Sequence, residues 1–149
     1  MASWAEVERA VPDLAREVRA RFTAGKHSTM ATLRSDGSPR ISGTEVEFSD
    51  DGELRIGSMA NALKARDLLR DGRVALHSPT SDPGGDGSSW AGEGKLAGTA
   101  VEEPSEDGSH RFRIDVAEVV LTRLGDVPDH LVVESWHGDD RGYVRRERR

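Results

Sequence analysis

Two Asp-Gly pairs, at positions 36–37 and 51–52, each sit between runs in which apolar and polar residues alternate. Asp-Gly tolerates the positive φ angles of a tight two-strand turn, so this pattern is a strong short-range hairpin signal. It commits the chain after Gly25 to antiparallel strands. "STMATLR" reads as the first, "SPRISGTEVEF" as the second, alternating best from Thr44 to Phe48, and "ELRIGS" as the third. A short helix follows over 61–70, with Leu63, Ala65, Leu68 and Leu69 as its expected buried side. "GRVALHS" is a fourth strand, and Gly, Pro, Ser and Asp make 79–88 a loop. "GEGKLAGTAVEE" is a fifth strand, whose glycines predict a bulge or a close approach. After a turn in "EPSEDGS", "HRFRIDVAEVVLTRL" is a long sixth and "DHLVVESW" a seventh, leaving 138–149 as a polar, basic tail.

The first 25 residues obey a different period. Ser3 and Glu6 form a capping-box pattern, and Trp4, Val7, Val11, Leu14, Val18 and Phe22 recur at helical spacing. Pro12 divides this segment into two helical pieces, the second starting near it, and Gly25 is a stop signal. The expected architecture is one domain over 1–149. It is a mainly β chain with few short helices, its six to seven mostly antiparallel strands closing into a barrel because closure removes exposed edges.

Composition narrows the chemistry. With 149 residues the chain can bury a core without staples. It has no cysteine, which excludes disulfides, thiolate metal sites and thiol nucleophiles. A net charge of −6 argues against nucleic acid or an anionic membrane as partner. The longest apolar runs are too short to span a bilayer, and the first residues lack the basic start and apolar stretch of a signal peptide. A cytoplasmic location is the expectation. The five histidines show no metal-ligand pairing, so no metal site is expected; there is no nucleophile elbow and no Walker-type loop. No residue presents itself as a dedicated acid or base.

One corner stands out. "IGSMANALKARDL" passes from strand to helix through Gly57 and Ser58 and places Lys64 in the first turns. Free N–H groups and a partial positive charge at a helix start bind phosphate; Ser58 adds a hydroxyl and Lys64 a full charge. The same residues also fit a solvated helix face with a simple cap. A second constellation, "ESWHGDDRGYVRRERR", sets Trp136 at a strand end ahead of Arg145 and Arg146; a core or interface tryptophan with a basic tail fits it equally.

Taken in order, "MATLRSDGSPRIS", "DDGELRIGS" and "NALKARDLLRDGRVAL" resemble the pyridoxamine 5′-phosphate oxidase-like family of FMN- and F420-binding split barrels, over roughly residues 28–146. The resemblance implies an FMN-binding split-barrel fold. It implies Ser58 and Lys64 as contacts of the cofactor phosphate, with Gly57 and Met59 lining the approach. Trp136 and Arg146 match the tryptophan and final arginine that contact the flavin. Thr32, Ser42 and Gly43 match, by position only, backbone groups of the ring slot. It also implies a homodimer with the cofactor at the interface, and a small-molecule substrate. Gly142 and Val144 stand where the vitamin oxidases carry substrate-binding arginine and histidine, and Ser42 where they carry an arginine beside the flavin. The chain therefore resembles a short actinobacterial-type member rather than a true pyridoxamine phosphate oxidase.

The implied function is FMN-dependent oxidoreduction of a small molecule. F420 is the alternative cofactor, its longer acidic tail wanting a more basic groove that Arg40, Arg55 and Arg66 would line. A non-catalytic cofactor- or haem-binding module is the alternative of a different class.

Overall fold

The computed structural model describes residues 1 to 149. The capping box forms as expected: Ser3 Oγ accepts from the Glu6 N–H at 3.2 Å, and Glu6 Oε2 accepts from the Ser3 N–H at 2.9 Å. It starts α1 (Trp4–Ala10), and Pro12 opens α2 (Pro12–Thr23). Trp4, Val7, Leu14, Val18 and Phe22 point inward and are buried. Trp4 meets Phe48 edge-on at 5.0 Å between ring centroids, so the helical segment is part of the single core. No helix is long and apolar enough to cross a membrane.

Nine strands follow: β1 (Ser28–Leu33), β2 (Pro39–Thr44), β3 (Val46–Phe48), β4 (Leu54–Ser58), β5 (Arg73–His77), β6 (Glu93–Glu103), β7 (His110–Leu124), β8 (Leu131–His137) and β9 (Gly142–Arg148), with α3 (Leu63–Arg70) between β4 and β5. All pairings are antiparallel, in the order β2-β1-β5-β6-β7-β4-β3, and β8 and β9 extend from β7. The two ends of this order, β2 and β3, are consecutive in the chain and are joined at Glu45. The sheet thus curls into a barrel whose seam is closed by covalent continuity and not by a hydrogen-bond ladder. β7 spans both halves: its first part pairs with β4 and its second with β8.

The turns follow the residues that specify them. Gly37 and Gly52 both have φ of 86°, the left-handed geometry that an Asp-Gly turn requires. The glycine-bearing strand carries its bulge between Ala97 and Gly98. A Cβ on Gly98 would lie 2.0 Å from the Asp115 carbonyl oxygen, so the bulge exists because two backbones touch there.

The structure corrects four expectations. The run 39–48 is two strands, because the chain must cross the seam at Glu45. The residues after 137 are not a tail: β9 pairs along all of β8, and Tyr143 Oη donates to Glu134 Oε1 at 2.7 Å while Arg123 donates to Glu134 Oε2 at 2.9 Å. These two changes raise the strand count from six or seven to nine. The buried side of α3 is Ala65, Asp67 and Leu68. Leu63 and Leu69 are 55% and 49% exposed, because a carboxylate rather than a leucine anchors the helix.

Gly98→Ala is expected to destabilise the fold by roughly 1–3 kcal/mol, since the added carbon meets backbone that cannot yield. Urea denaturation of both proteins measures it; equal midpoints would contradict the close approach.

Candidate functional site

The strand-to-helix corner opens on a groove of about 950 Å³ at the barrel seam. Gly43 to Glu47 form one wall, and Ile56 to Met59 with Lys64 form the other. Asn61 has φ of 64°, a left-handed conformation that asparagine tolerates, and this turns the chain sharply from β4 into α3. The start of α3 has no side-chain cap. Its first-turn N–H groups are therefore left to solvent or to a ligand.

Lys64 is half-buried and has no carboxylate partner. Its ammonium donates to the Gly43 carbonyl at 2.7 Å, on the edge strand β2. Ser58 Oγ donates to the Met59 carbonyl at 3.2 Å. Met59 is 82% exposed, an apolar side chain standing at the mouth of a polar groove. Arg55 lines the same groove but is spent: it donates twice to Asp51 at 2.8 Å and twice to Glu103, at 2.7 and 3.3 Å. Those hydrogen bonds hold the Asp51 carboxyl at about 2 and lower that of Glu103. Lys64 is thus the uncompensated cation of the corner.

The far wall comes from the β6–β7 turn, with Ser105, Asp107, Ser109, His110 and Arg111. The hydroxyl and N–H of Ser109, and the hydroxyl of Ser105, hold the Asp107 carboxyl at about 2. His110 is the cross-strand partner of Ser58; its Nδ1 is buried without a hydrogen bond, 3.8 Å from a Glu102 oxygen. Sequence reasoning missed this wall. No local pattern announces it, since only the β4–β7 register brings residue 110 beside residue 58.

Of the expected site residues, Gly43, Gly57, Ser58, Met59 and Lys64 come together on the groove. Ser42 lies next to Gly43 on β2, outside the lining. Thr32 is buried on the interior strand β1, with its hydroxyl donating to Asp67 Oδ2 at 2.7 Å. Trp136 sits on β8, partly buried against the core, and Arg146 is exposed on β9 opposite Val133. These two do not line the groove within one chain.

Behind the corner, Asp67 holds α3 in place. Its side chain is 4% exposed and accepts from Thr32, from Arg40 Nε at 2.7 Å and from Arg70 at 3.2 Å. Burial alone would raise its pKa; the hydrogen bonds from Arg40, Thr32 and Arg70 outweigh it and the pKa is lowered. Arg40, one of the arginines expected to line a groove, is committed to this pair.

No family model matches the chain, and no curated protein matches it in sequence. Solved structures do resemble it. The chain superposes on a pyridoxamine 5′-phosphate oxidase-related, FMN binding protein from Nostoc punctiforme at 12% identity, with a TM-score of 0.64 over 100% of this chain and 98% of that one. PhzG from Burkholderia lata, solved with tetrahydrophenazine-1-carboxylic acid, gives 12% identity and a TM-score of 0.65 over 97% and 92% of the two chains. A heme binding protein from Mycobacterium smegmatis gives 13% identity and 0.61 over 91% and 87%. The fold is the pyridoxamine 5′-phosphate oxidase-like split barrel.

Because Asp67 has a lowered pKa, its stabilisation is present above the pKa of the unfolded chain and is lost as pH falls through the folded value. Asp67→Asn is expected to cost about 3–5 kcal/mol at neutral pH, the scale for breaking a buried ion pair. The cost should shrink as pH falls below about 4, where the unfolded carboxyl takes up its proton. Denaturation midpoints of both proteins across pH 3 to 7 test this; a pH-independent difference would contradict it.

Proposed function

We propose that the groove holds a phosphate-bearing flavin-type cofactor, FMN or the deazaflavin F420, and that the protein is an oxidoreductase acting on a small molecule. Lys64 carries this reading. A half-buried ammonium with no counter-ion, resting on a backbone carbonyl beside an uncapped helix start, is poised for an anion. A phosphate there would accept from Lys64, from the first-turn N–H groups and from Ser58. Met59 offers an apolar cover for a flat ring, and Gly43 and Gly57 let backbone approach it. The cofactor supplies the hydride chemistry; the chain anchors the phosphate and orients the ring. The split-barrel structure from Nostoc punctiforme described as FMN binding supports the choice of ligand class. Gly142 and Val144, at the vitamin-binding positions, offer no side chain to bind the phosphate of a pyridoxamine phosphate. The acidic, cysteine-free composition fits the cytoplasm.

The working unit we propose is a homodimer. Ile41, Ala31, Ala75 and Ala97 are cross-strand neighbours in one row on the outer face of β2, β1, β5 and β6. Ile41 is 75% exposed. A flat row of small apolar side chains suits a second copy of the chain. In such a dimer Trp136 and Arg146 reach the partner's groove, not their own.

A haem-binding module is the competing reading, favoured by the two imidazoles, His27 and His110, on the groove walls. Native mass spectrometry of the purified full chain separates the two: a dimer carrying a flavin or deazaflavin mass is expected, and an iron porphyrin would replace the first reading with the second. Lys64→Ala should weaken binding of added FMN or F420 by about 10- to 100-fold, the loss of a charged hydrogen bond; unchanged affinity would refute the corner. Ile41→Glu should shift the sedimentation coefficient to that of a monomer.

A further inference from the structure

We propose that the free edge of β9 is a docking site for an extended, acidic segment of a partner protein, which adds to the sheet as a further strand. β9 pairs only with β8, so the backbone groups along its other side have no ladder partners. On an edge strand alternate residues turn their N–H and C=O groups outward, and seven residues present them over roughly 20 Å. Such an edge is a template for another chain. The other free edges are poorer templates. β2 begins at Pro39, which has no N–H, and its Gly43 carbonyl already accepts from Lys64; β3 has only three residues.

The charge on this edge selects the partner. Tyr143, Arg145 and Glu147 share one face of β9 and are satisfied there: Tyr143 donates to Glu134 at 2.7 Å, and Arg145 to Glu147 at 3.1 Å. Arg146 and Arg148 share the other face, opposite Val133 and Leu131; both are exposed and make no hydrogen bond or ion pair. Two free guanidiniums thus stand in line along one rim of the edge, in a chain of net charge −6. An added strand with carboxylates at every second position sets them beside both, and opposite charges on neighbouring strands stabilise a sheet. A second copy of β9 does not fit. Each copy brings three arginines and one glutamate, so pairing the two edges sets like charges side by side. The charge that guards the edge against its own copy attracts an acidic strand.

A nucleic acid shares the negative charge but has no alternating N–H and C=O groups with which to continue the ladder. Backbone pairing is therefore the property that identifies the partner as polypeptide. The dimer proposed above draws on the side chain of Arg146, so the charge test falls on Arg148. Neither the edge nor its test depends on what the groove binds.

To test this, ¹⁵N-labelled full chain is titrated at fixed ionic strength with the peptide acetyl-TEVEVET-amide, whose three glutamates fall on one face of a strand. Saturable shifts are expected in the amides of β9 and of β8 behind it. Two further peptides carry backbone N-methyl groups, one on its glutamates and the other on its valines. Only one of these sets of N–H groups faces the protein in an added strand. One methylated peptide should therefore bind at least about ten-fold more weakly than the parent, and the other like the parent. Arg148→Glu should weaken the parent peptide by about 3- to 10-fold, since it replaces an attraction by a repulsion. Methylated peptides that bind alike, shifts lying outside β8 and β9, an Arg148→Glu chain that binds like the wild type, or equal binding of a single-stranded oligothymidine would each overturn the proposal.

Discussion

A carboxylate buried among guanidiniums fixes the functional part of this fold. α3 has only eight residues and buries two apolar side chains, Ala65 and Leu68; a helix that short has little hold of its own. Asp67 supplies the hold by accepting from Thr32 on β1, Arg40 on β2 and Arg70 on α3. An apolar residue at 67 would also bury surface, but it would leave the helix free to roll. With Asp67 locked, Lys64 must face the edge of β2, and Leu63 and Leu69 must face water. The position of the candidate anion site is therefore a consequence of one buried charge that is not itself in the site.

The second constraint is the seam. A fully paired barrel has no free edge, but here β2 and β3 follow one another through Glu45 and cannot pair across the gap. Edge strands leave backbone groups without ladder partners, and Lys64 answers one of them, the Gly43 carbonyl. The groove lies where the hydrogen-bond network of the sheet is incomplete. A ligand there competes with water and one lysine contact, not with the barrel.

Most of the fold was legible because period and turn chemistry agree. Asp36-Gly37 and Asp51-Gly52 form the turns they encode, Ser3 and Glu6 form their capping box, and the run 110–124 is a single strand of those limits. The misreadings share a cause: they depend on what lies across space. Nothing local distinguishes Asp67 from Arg66 or Arg70 as the residue that turns inward; Thr32 and Arg40, 35 and 27 residues away, decide it. The polar residues after 137 look like a tail until Glu134 and Trp136 present a strand for them to pair with. At the site, the corner at 57–64 was readable because strand, turn and helix are contiguous there. The wall at 105–111 was not, being set by β4–β7 register.

The distribution of charge ties these elements together. Acidic side chains dominate the chain, yet its arginines are mostly satisfied in place: Arg55 by Asp51 and Glu103, Arg123 by Glu134, Arg73 by Asp71. Such pairing leaves little net attraction for a diffuse polyanion, in keeping with the acidic total. Of the cations without a carboxylate partner, Lys64, Arg34 and Arg66 stand together around the first half of α3 and the hairpin it covers, whereas Arg9, Arg21, Lys95, Arg146 and Arg148 lie apart on α1, α2, β6 and β9. Local surplus within global deficit selects ligands that are small enough to sit inside the positive region and screens out those that must spread beyond it. The same helix that Asp67 orients thus sets where Lys64, and with it the candidate anion site, stands.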